Sequence, residues 1–280
     1  MKKLLSLLFV MVLGLCLASC GGNQNDSGNN PDDENKDRPT LTVGMECAYA
    51  PFNWTEAIKS DSNYPIDGTN LYAEGYDVQI AKKIADELGY RLVVKAIEWD
   101  GLIPALESGQ IDAIVAGMSD TEERRVSVDF TAAYYRSTHV LVMNKTSKYV
   151  NGKTLNDFAG ATVVGQKETL YDSLIDQLVG VNHDTPLDDV PTIITAISNN
   201  RADITILEEP VAKGLIETNP NLTYIKLESG FNVSEEDVCV AIAIAKGNSD
   251  LNSKVSDALA KITEAERNAL MNEAIAKNAE

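Results

Sequence analysis

The sequence predicts an α/β chain built as two open α/β lobes. Three observations carry this expectation. Apolar strand-like runs alternate with amphipathic helical runs from Leu41 onward, which is the pattern of a parallel sheet with covering helices. One plan occurs twice: LIPALESGQIDAIV (102–115) and IITAISNNRADITI (193–206) each read as amphipathic helix, polar turn, aspartate (Asp112, Asp203) and apolar strand. Residues 40–280 are enough for two lobes of roughly 100 to 130 residues.

The elements follow in chain order. MKKLLSLLFVMVLGLCLASC has a positive start at Lys2 and Lys3, a short apolar run from Leu4 to Leu15, and small residues before Cys20, which predicts an export signal over residues 1–19. The apolar run is too short and wrongly flanked for a membrane-spanning helix. Leu17-Ala18-Ser19-Cys20 resembles a bacterial lipobox, so Cys20 is expected to become a lipid-modified first residue that anchors the chain to a membrane. The next stretch, GGNQNDSGNNPDDENKDRP, has no aliphatic or aromatic side chain to bury. Residues 20–39 are therefore expected to form a disordered tether, about 25 Å end to end.

Beyond it, TLTVGM reads as a buried strand and ECAYAPFNW as the loop leaving it. In YDVQIAKKIADELG, Val78, Ala81, Ile84, Ala85 and Leu88 fall at helical spacing and Gly89 suits the stop. YRLVVKAI is β-rich, WDGLIPALESG is a short amphipathic helix ending at Gly109, and IDAIVAG is a buried strand, which completes βαβαβ. The second half repeats this grammar. ATVVGQKETLYDSLIDQLV reads as strand, tight loop and helix, VPTIITAISNN as a helix, ADITIL as a strand, and EEPVAKGLIE as a loop and the next helix.

Composition excludes several classes of function. The net charge of −18 becomes −20 once residues 1–19, which carry only Lys2 and Lys3, are removed. That balance speaks against nucleic acid and against a basic face for anionic lipid. With only two histidines, His139 and His183, and no suggestive cysteine spacing, neither a metal nor a cofactor is expected. Cys47 and Cys239 either pair in an oxidising compartment or stay as lone buried thiols.

Ligands of open α/β sheets sit outside the carboxyl ends of the strands. Those ends here are residues 46–54, 116–124, 165–170 and 207–210, so two facing lobes would line one cleft. Ala116 and Gly117 are small enough for close backbone approach, and Ser119 offers a hydroxyl. Ser119, Asp120 and Thr121 before Glu122 and Glu123 predict a helix start. Its free N–H groups and the Arg124 guanidinium together suit a carboxylate. Composition alone leaves open a plain surface pair between Arg124 and Glu123. Glu208 and Glu209, beside Pro210, read either as a receptor for an ammonium group or as a solvated acidic loop. Tyr49, Phe52, Trp54 and Trp99 offer an aromatic wall, with Phe52 suited to core packing.

YAPFNW, GYDVQIAKKIADELG, WDGLIPALESGQIDAIVAGMSDTEERRVSVDFTAAYY and ADITILEEPVAKGL together resemble the polar amino-acid-binding family of bacterial extracytoplasmic solute-binding proteins, the receptors of ABC importers. The resemblance covers about residues 40–280. It implies a type II periplasmic-binding-protein-like fold, in which two lobes joined by two crossover strands hold a free amino acid between them and present it to a membrane permease. On that basis lobe I is residues 40–137 and 236–280, and lobe II is residues 138–235. The first crossover lies in YYRSTHVLV and the return in SEEDVCVAIAI.

The same resemblance implies roles for individual residues. Arg124 would take the α-carboxylate with help from Ser119 and the backbone near Ala116 and Gly117. Glu208, where many members have Asp, would take the α-amino group. Tyr49 and Trp99 would sandwich the side chain, and Glu46 would face its distal polar group. Members usually show Gly then Ser or Thr in the second lobe's loop; QKET departs from this, and Thr169 is the expected donor there. Glu46 points to a basic or amide-bearing ligand, since it would repel a distal carboxylate. A monomeric binding protein without catalytic function is expected. The alternative is a periplasmic dehydratase of cyclic dienyl acids on the same fold, with Glu208 or Glu168 as general acid. A sensor module would need transmembrane and signalling segments, which the sequence is not expected to contain.

Overall fold

A computed structural model describes residues 38–279. The predicted signal, Cys20 and the tether up to residue 37 lie outside the described residues.

The first lobe starts with strand β1 (Thr40–Met45), which buries Leu41, Val43 and Met45, each contributing about 1.5–3 kcal/mol. The segment expected as a plain loop instead holds β2 (Ala48–Tyr49) and β3 (Asn53–Glu56). With β4 (Tyr64–Pro65) and β5 (Tyr72–Glu74) they form a small antiparallel sheet in the order β2-β3-β5-β4. Its strands are two to four residues long, too short for a periodic signal in the sequence.

Helix α1 (Tyr76–Leu88) follows from Gly75. The amides of Tyr76 and Asp77 bond the carbonyls of Pro51 and Phe52 at 3.0 and 2.8 Å, so that backbone lies against the helix start. A Cβ on Gly75 would come within 2.5 Å of the Phe52 carbonyl oxygen, and its φ of 123° is one that only glycine adopts easily. Gly89 ends the helix in the left-handed conformation, as expected.

The chain continues through β6 (Arg91–Ala96), a 3₁₀ turn (Trp99–Gly101), α2 (Leu102–Glu107), β7 (Ala113–Ile114) and β8 (Val128–Arg136). The second lobe contains β9 (His139–Asn144), β10 (Thr162–Val163), α3 (Leu170–Leu174), β11 (Asn182–His183), α4 (Val190–Ser198), β12 (Ile204–Glu208), α5 (Glu209–Thr218) and β13 (Leu222–Ile225). Then β14 (Cys239–Ala245), α6 (Ser249–Ala260) and α7 (Glu264–Asn278) complete the first lobe. Helices α6 and α7 pack on α1, and α7 also meets α5. Thr263 and Glu266 occupy the two positions of a capping box at the start of α7, with the Glu266 amide bonding the Thr263 hydroxyl.

The two main sheets share one plan. The first runs β6-β1-β7-β14-β8, with β1 parallel to β6 and β7 and with β14 antiparallel to β7. The second runs β11-β10-β12-β9-β13, with β10 parallel to β11 and β12 and with β9 antiparallel to β12. In each, the antiparallel strand in fourth place is the one that arrives from the other lobe. The repeat noted in the sequence has a physical basis. Asp112 accepts from the Thr42 amide at 2.8 Å while its own amide bonds the Thr42 carbonyl; Asp203 does the same to Thr162 at 2.9 Å. One aspartate per lobe thus fixes the register of the third strand against the first.

The expected helix start at Ser119–Thr121 does not form. Ser119 is held as a β-bridge to Val240, the Asp120 amide bonds the Cys239 carbonyl, and only a single 3₁₀ turn (Arg124–Val126) fits before β8 begins. The edge of the sheet claims this backbone first, so no row of helical N–H groups faces the cleft. Among the described residues Cys47 and Cys239 are unpaired, the first buried and the second half-buried.

Candidate functional site

The carboxyl ends of β1, β6 and β7 in one lobe face those of β10 and β12 in the other, and the loops leaving them meet. Together they line a nearly filled cleft with about 10 Å³ of free space, room for about one water. Glu46, Tyr49, Trp99, Gly117, Ser119, Arg124 and Thr169 line it, as the sequence suggests. Gln166, Leu170 and Tyr171 line it too. Ala116 does not: its side chain is packed in the core beside Trp99, Leu102 and Met118. Glu208 lies behind the lining, joined to the cleft through the Tyr49 hydroxyl.

The two neighbouring arginines have opposite fates. Arg125 turns outward and binds Asp120 through Nε and Nη2, both at 2.6 Å, which pins the turn. Arg124 turns inward, 5.1 Å above the Trp99 ring, and forms no ion pair with Glu123. It donates to the Ser119 carbonyl at 2.9 Å and across the cleft to the Glu168 carbonyl at 3.2 Å. Desolvation lowers its pKa, so the positive charge has been carried into a place that wants an anion. Two of its five N–H groups are engaged, and the rest are available to a carboxylate fork.

The two neighbouring glutamates part in the same way. Glu209 is bound by Lys213 at 2.9 Å, Lys226 at 2.6 Å and Thr138 at 3.1 Å. Against the upward pull of burial, those bonds hold its pKa at about 2. Glu208 is 1% exposed and, among the described residues, forms no salt bridge. Its Oε2 accepts from the Tyr49 hydroxyl, its Oε1 has no partner, and burial pushes its pKa up to about 8. An unpaired, buried carboxyl at the mouth of α5 is a costly arrangement that an ammonium group would relieve.

A buried polar network sets the loops of the first lobe. The Tyr134 hydroxyl donates to Asp77 at 2.6 Å and accepts from the Gly117 amide at 3.1 Å. Asn53 donates to Asp77 at 2.7 Å and accepts from the Cys47 amide at 2.6 Å. Asp77, fully buried, thus fixes both the Glu46–Cys47 and Gly117 turns, although burial raises its own pKa to about 7. Gly117 has φ 62°, and a Cβ there would press to 3.2 Å on the Phe52 and Tyr49 rings. Phe52 is a core residue, stacked under Tyr49 at 5.7 Å. Trp54 stays out of the cleft lining, its indole bonded to Glu56.

The lobes are closed on each other. Trp99 Nε1 reaches the Glu168 carbonyl at 3.1 Å, and Gln166 Nε2 reaches Glu46 at 2.7 Å. Lys167 spans Asp100 of the first lobe at 2.8 Å and Asp188 of the second at 2.7 Å. Glu168, at φ 58°, turns its carbonyl toward both Trp99 and Arg124. Thr169, the expected ligand donor, gives its hydroxyl hydrogen to the Gln166 carbonyl at 2.7 Å and caps α3. Gln166, Leu170 and Tyr171 are the lining residues that sequence reasoning did not single out. Gln166 sat inside the QKET loop without a motif to single it out. Tyr171 reads from the sequence as an ordinary helix residue, yet its hydroxyl is buried and unpartnered.

Two open α/β lobes that close over a cleft, with a cation from one and a buried acid from the other, define a two-lobed solute receptor. The chain belongs to the bacterial extracellular solute-binding proteins, family 3, whose sequence model matches residues 41–275. It is 33% identical to a probable histidine-binding protein of Campylobacter jejuni over 79% of this chain and 80% of the relative. It is 30% identical to the arginine-binding extracellular protein ArtP of Bacillus subtilis, over 92% of each chain. Among solved structures it resembles the amino acid ABC transporter substrate-binding protein AbpA of Streptococcus pneumoniae bound to L-arginine. There the TM-score is 0.73 and the identity 28%, covering 89% of this chain and 99% of that one.

Proposed function

We propose that the chain is an extracytoplasmic receptor that closes on a free amino acid with a basic or amide side chain and delivers it to an ABC import permease. One observation carries the reading. Arg124 lines the cleft from one lobe and Glu208, from the other, lies directly behind its Tyr49 wall, the first a desolvated cation and the second a buried carboxyl with an unpartnered oxygen. A zwitterion satisfies both at once. Glu46, beside Trp99 and Tyr49 in the lining, supports a donor-bearing distal group, in keeping with the relatives named for histidine and arginine.

The lobes are then residues 40–137 with 236–280 and residues 138–235, with the crossovers in residues 134–142 and 234–244. Hinge closure about these buries the ligand, and the closed form is what a permease would recognise. The chain acts as a monomer that binds without turnover. Cys20 carries a lipid that holds the receptor at the membrane, so Cys20→Ser should free the protein into soluble fractions; continued pelleting with membranes would refute the anchor. No described helix is long and apolar enough to cross a membrane.

A thermal-shift screen against the twenty amino acids at pH 8 tests the ligand class, because a ligand that binds only the folded chain raises its melting temperature by mass action. Arginine, lysine, histidine or glutamine should raise it most. A response to none of the twenty, or turnover of a cyclic dienyl acid such as prephenate, would overturn the proposal.

A further inference from the structure

Helix α3 is five residues long and continues into a single 3₁₀ turn (Ile175–Gln177), yet Leu170 and Tyr171 at its start line the cleft. A helix so short does not hold itself together, so fixtures outside it set its position. Its start lies directly on the loop after β10: a Cβ on Gly165 would come within 2.6 Å of the Asp172 Cα. A second fixture is His183, on the edge strand β11 that pairs with β10. His183 Nε2 lies 3.0 Å from Asp172 Oδ1, and its Nδ1 lies 3.0 Å from Asp176 Oδ1. A carboxylate accepts and does not donate, so both ring nitrogens carry hydrogen and the ring is an imidazolium. A neutral ring would point a lone pair at one of the two carboxylates. Against the downward pull of burial, the bonds to Asp172 and Asp176 raise the pKa of His183 above its usual 6.5. These two aspartates are the charged groups that bear on the ring. Strand β10 sets Val163 beside it, and Asp184, next in the chain, accepts from the Thr185 amide instead.

We propose that His183 is a positioning residue: as an imidazolium bridging Asp172 and Asp176, it holds α3, and with it the Leu170–Tyr171 wall of the cleft, at the edge of the second sheet. Two carboxylates four residues apart on one helical face repel each other, and a cation between them reverses the sign. Once the ring loses a proton, one N–H remains for two acceptors, so one aspartate is released and α3 keeps half of its tie. The hold is complete below about pH 6.5 and fades as the pH rises through the raised pKa. Loss on the alkaline side separates this group from Glu208, whose proton must leave before an ammonium group can bind. The effect on affinity rests on the reading of the cleft as an amino-acid site; the bridge itself does not.

The test uses the full chain as wild type, His183→Gln and His183→Arg. Glutamine keeps donors but no charge; arginine keeps a cation with several donors at every pH. The chain has two histidines, and burial holds His139 down to about 4, so NMR titration of the rings reads His183 alone above about pH 5.5. The wild-type ring should carry both hydrogens at pH 7 and titrate above 6.5, and amide-exchange protection of residues 170–177 should fall as it does. Calorimetric titration with L-arginine and L-glutamine at pH 7 and pH 9 then gives variant-to-wild-type ratios of Kd, in which the titrations of Glu208 and of the ligand cancel. The glutamine variant should bind about threefold more weakly than wild type at pH 7 and about equally at pH 9. The arginine variant should match wild type at pH 7 and bind more tightly than it at pH 9. A ring already neutral at pH 7, protection that does not follow the ring, or a glutamine-variant ratio equal at both pH values would each overturn the proposal. A wild type that binds neither amino acid sinks the reading of the cleft, and the bridge then stands or falls by the ring and exchange measurements. If one variant fails to melt cooperatively, the other and the wild-type profile decide.

Discussion

Lowering the pH should weaken ligand binding, because the acid that would meet the α-amino group holds a proton in the ligand-free chain. Burial raises Glu208 to about 8 and, less strongly, Glu46 to about 7. An ammonium group needs the carboxylate, so binding must expel that proton. The sign follows: below a pKa of about 8 each unit of pH adds about 1.4 kcal/mol to the cost of ionising Glu208. From pH 8, where the group is half protonated, to pH 6 that amounts to about 2 kcal/mol, or roughly a 50-fold rise in Kd. A ligand with a cationic side chain must also ionise Glu46, which adds about 1.4 kcal/mol at pH 6, or roughly tenfold. The assay is calorimetric titration at pH 6, 7 and 8 in buffers of different ionisation enthalpy, which counts the protons released. Glu208→Gln should bind weakly at every pH and lose most of the slope. A wild-type Kd that stays flat from pH 6 to pH 8, with heat independent of buffer, would refute the reasoning. Stability carries the opposite signature. Carboxyls whose folded pKa lies above the unfolded value cost the ligand-free fold progressively more as pH rises from about 4.5 to 8. The melting-temperature gain on adding ligand should therefore be larger at pH 8 than at pH 5.

Other substitutions separate binding from folding. Arg124→Ala should raise Kd at least about 100-fold, since it leaves a buried carboxylate without its partner, while ligand-free melting stays within a few degrees of wild type; retained micromolar affinity by titration would contradict the clamp. Lys167→Ala removes the ion pair that spans the cleft to Asp100. Stopped-flow release should quicken severalfold at low salt, and the difference should vanish at high salt; equal rates at every ionic strength would exclude a latch. Asp112→Ala and Asp203→Ala each orphan a strand amide and should cost about 1–3 kcal/mol. Calorimetric melting should fall by about 2–4 °C per kcal/mol, and unchanged melting would mean that strand register is set elsewhere.

Local chemistry was legible along the chain. Apolar periodicity specified α1, α4 and the buried strands, because a helix or strand must show one face to a core. The repeated aspartates announced two equivalent lobes, and each proved to make the same bond to a first-strand amide. Resemblance then singled out Arg124, Glu208, Tyr49 and Trp99. Three things were not legible. The small sheet of residues 48–74 has strands too short to leave a pattern. The turn at Ser119 carries good helix-capping residues, yet its backbone pairs with Val240, more than a hundred residues away in sequence. Gln166 and Tyr171 owe their place in the cleft to closure, which no local window records.

What the chain determined by itself is which residue types stand at the strand ends: two adjacent arginines, two adjacent glutamates, and aromatics on the first lobe's loops. Only the tertiary structure decided between neighbours. Arg125 binds Asp120 and Glu209 binds two lysines, so those charges are neutralised locally. Arg124 and Glu208 are carried one residue aside, to the inner face of each lobe, where burial strips their water and supplies no counter-ion. Identical side chains one position apart differ in this way because ionisation answers to solvent and nearby charge, and both are set by how the lobes close.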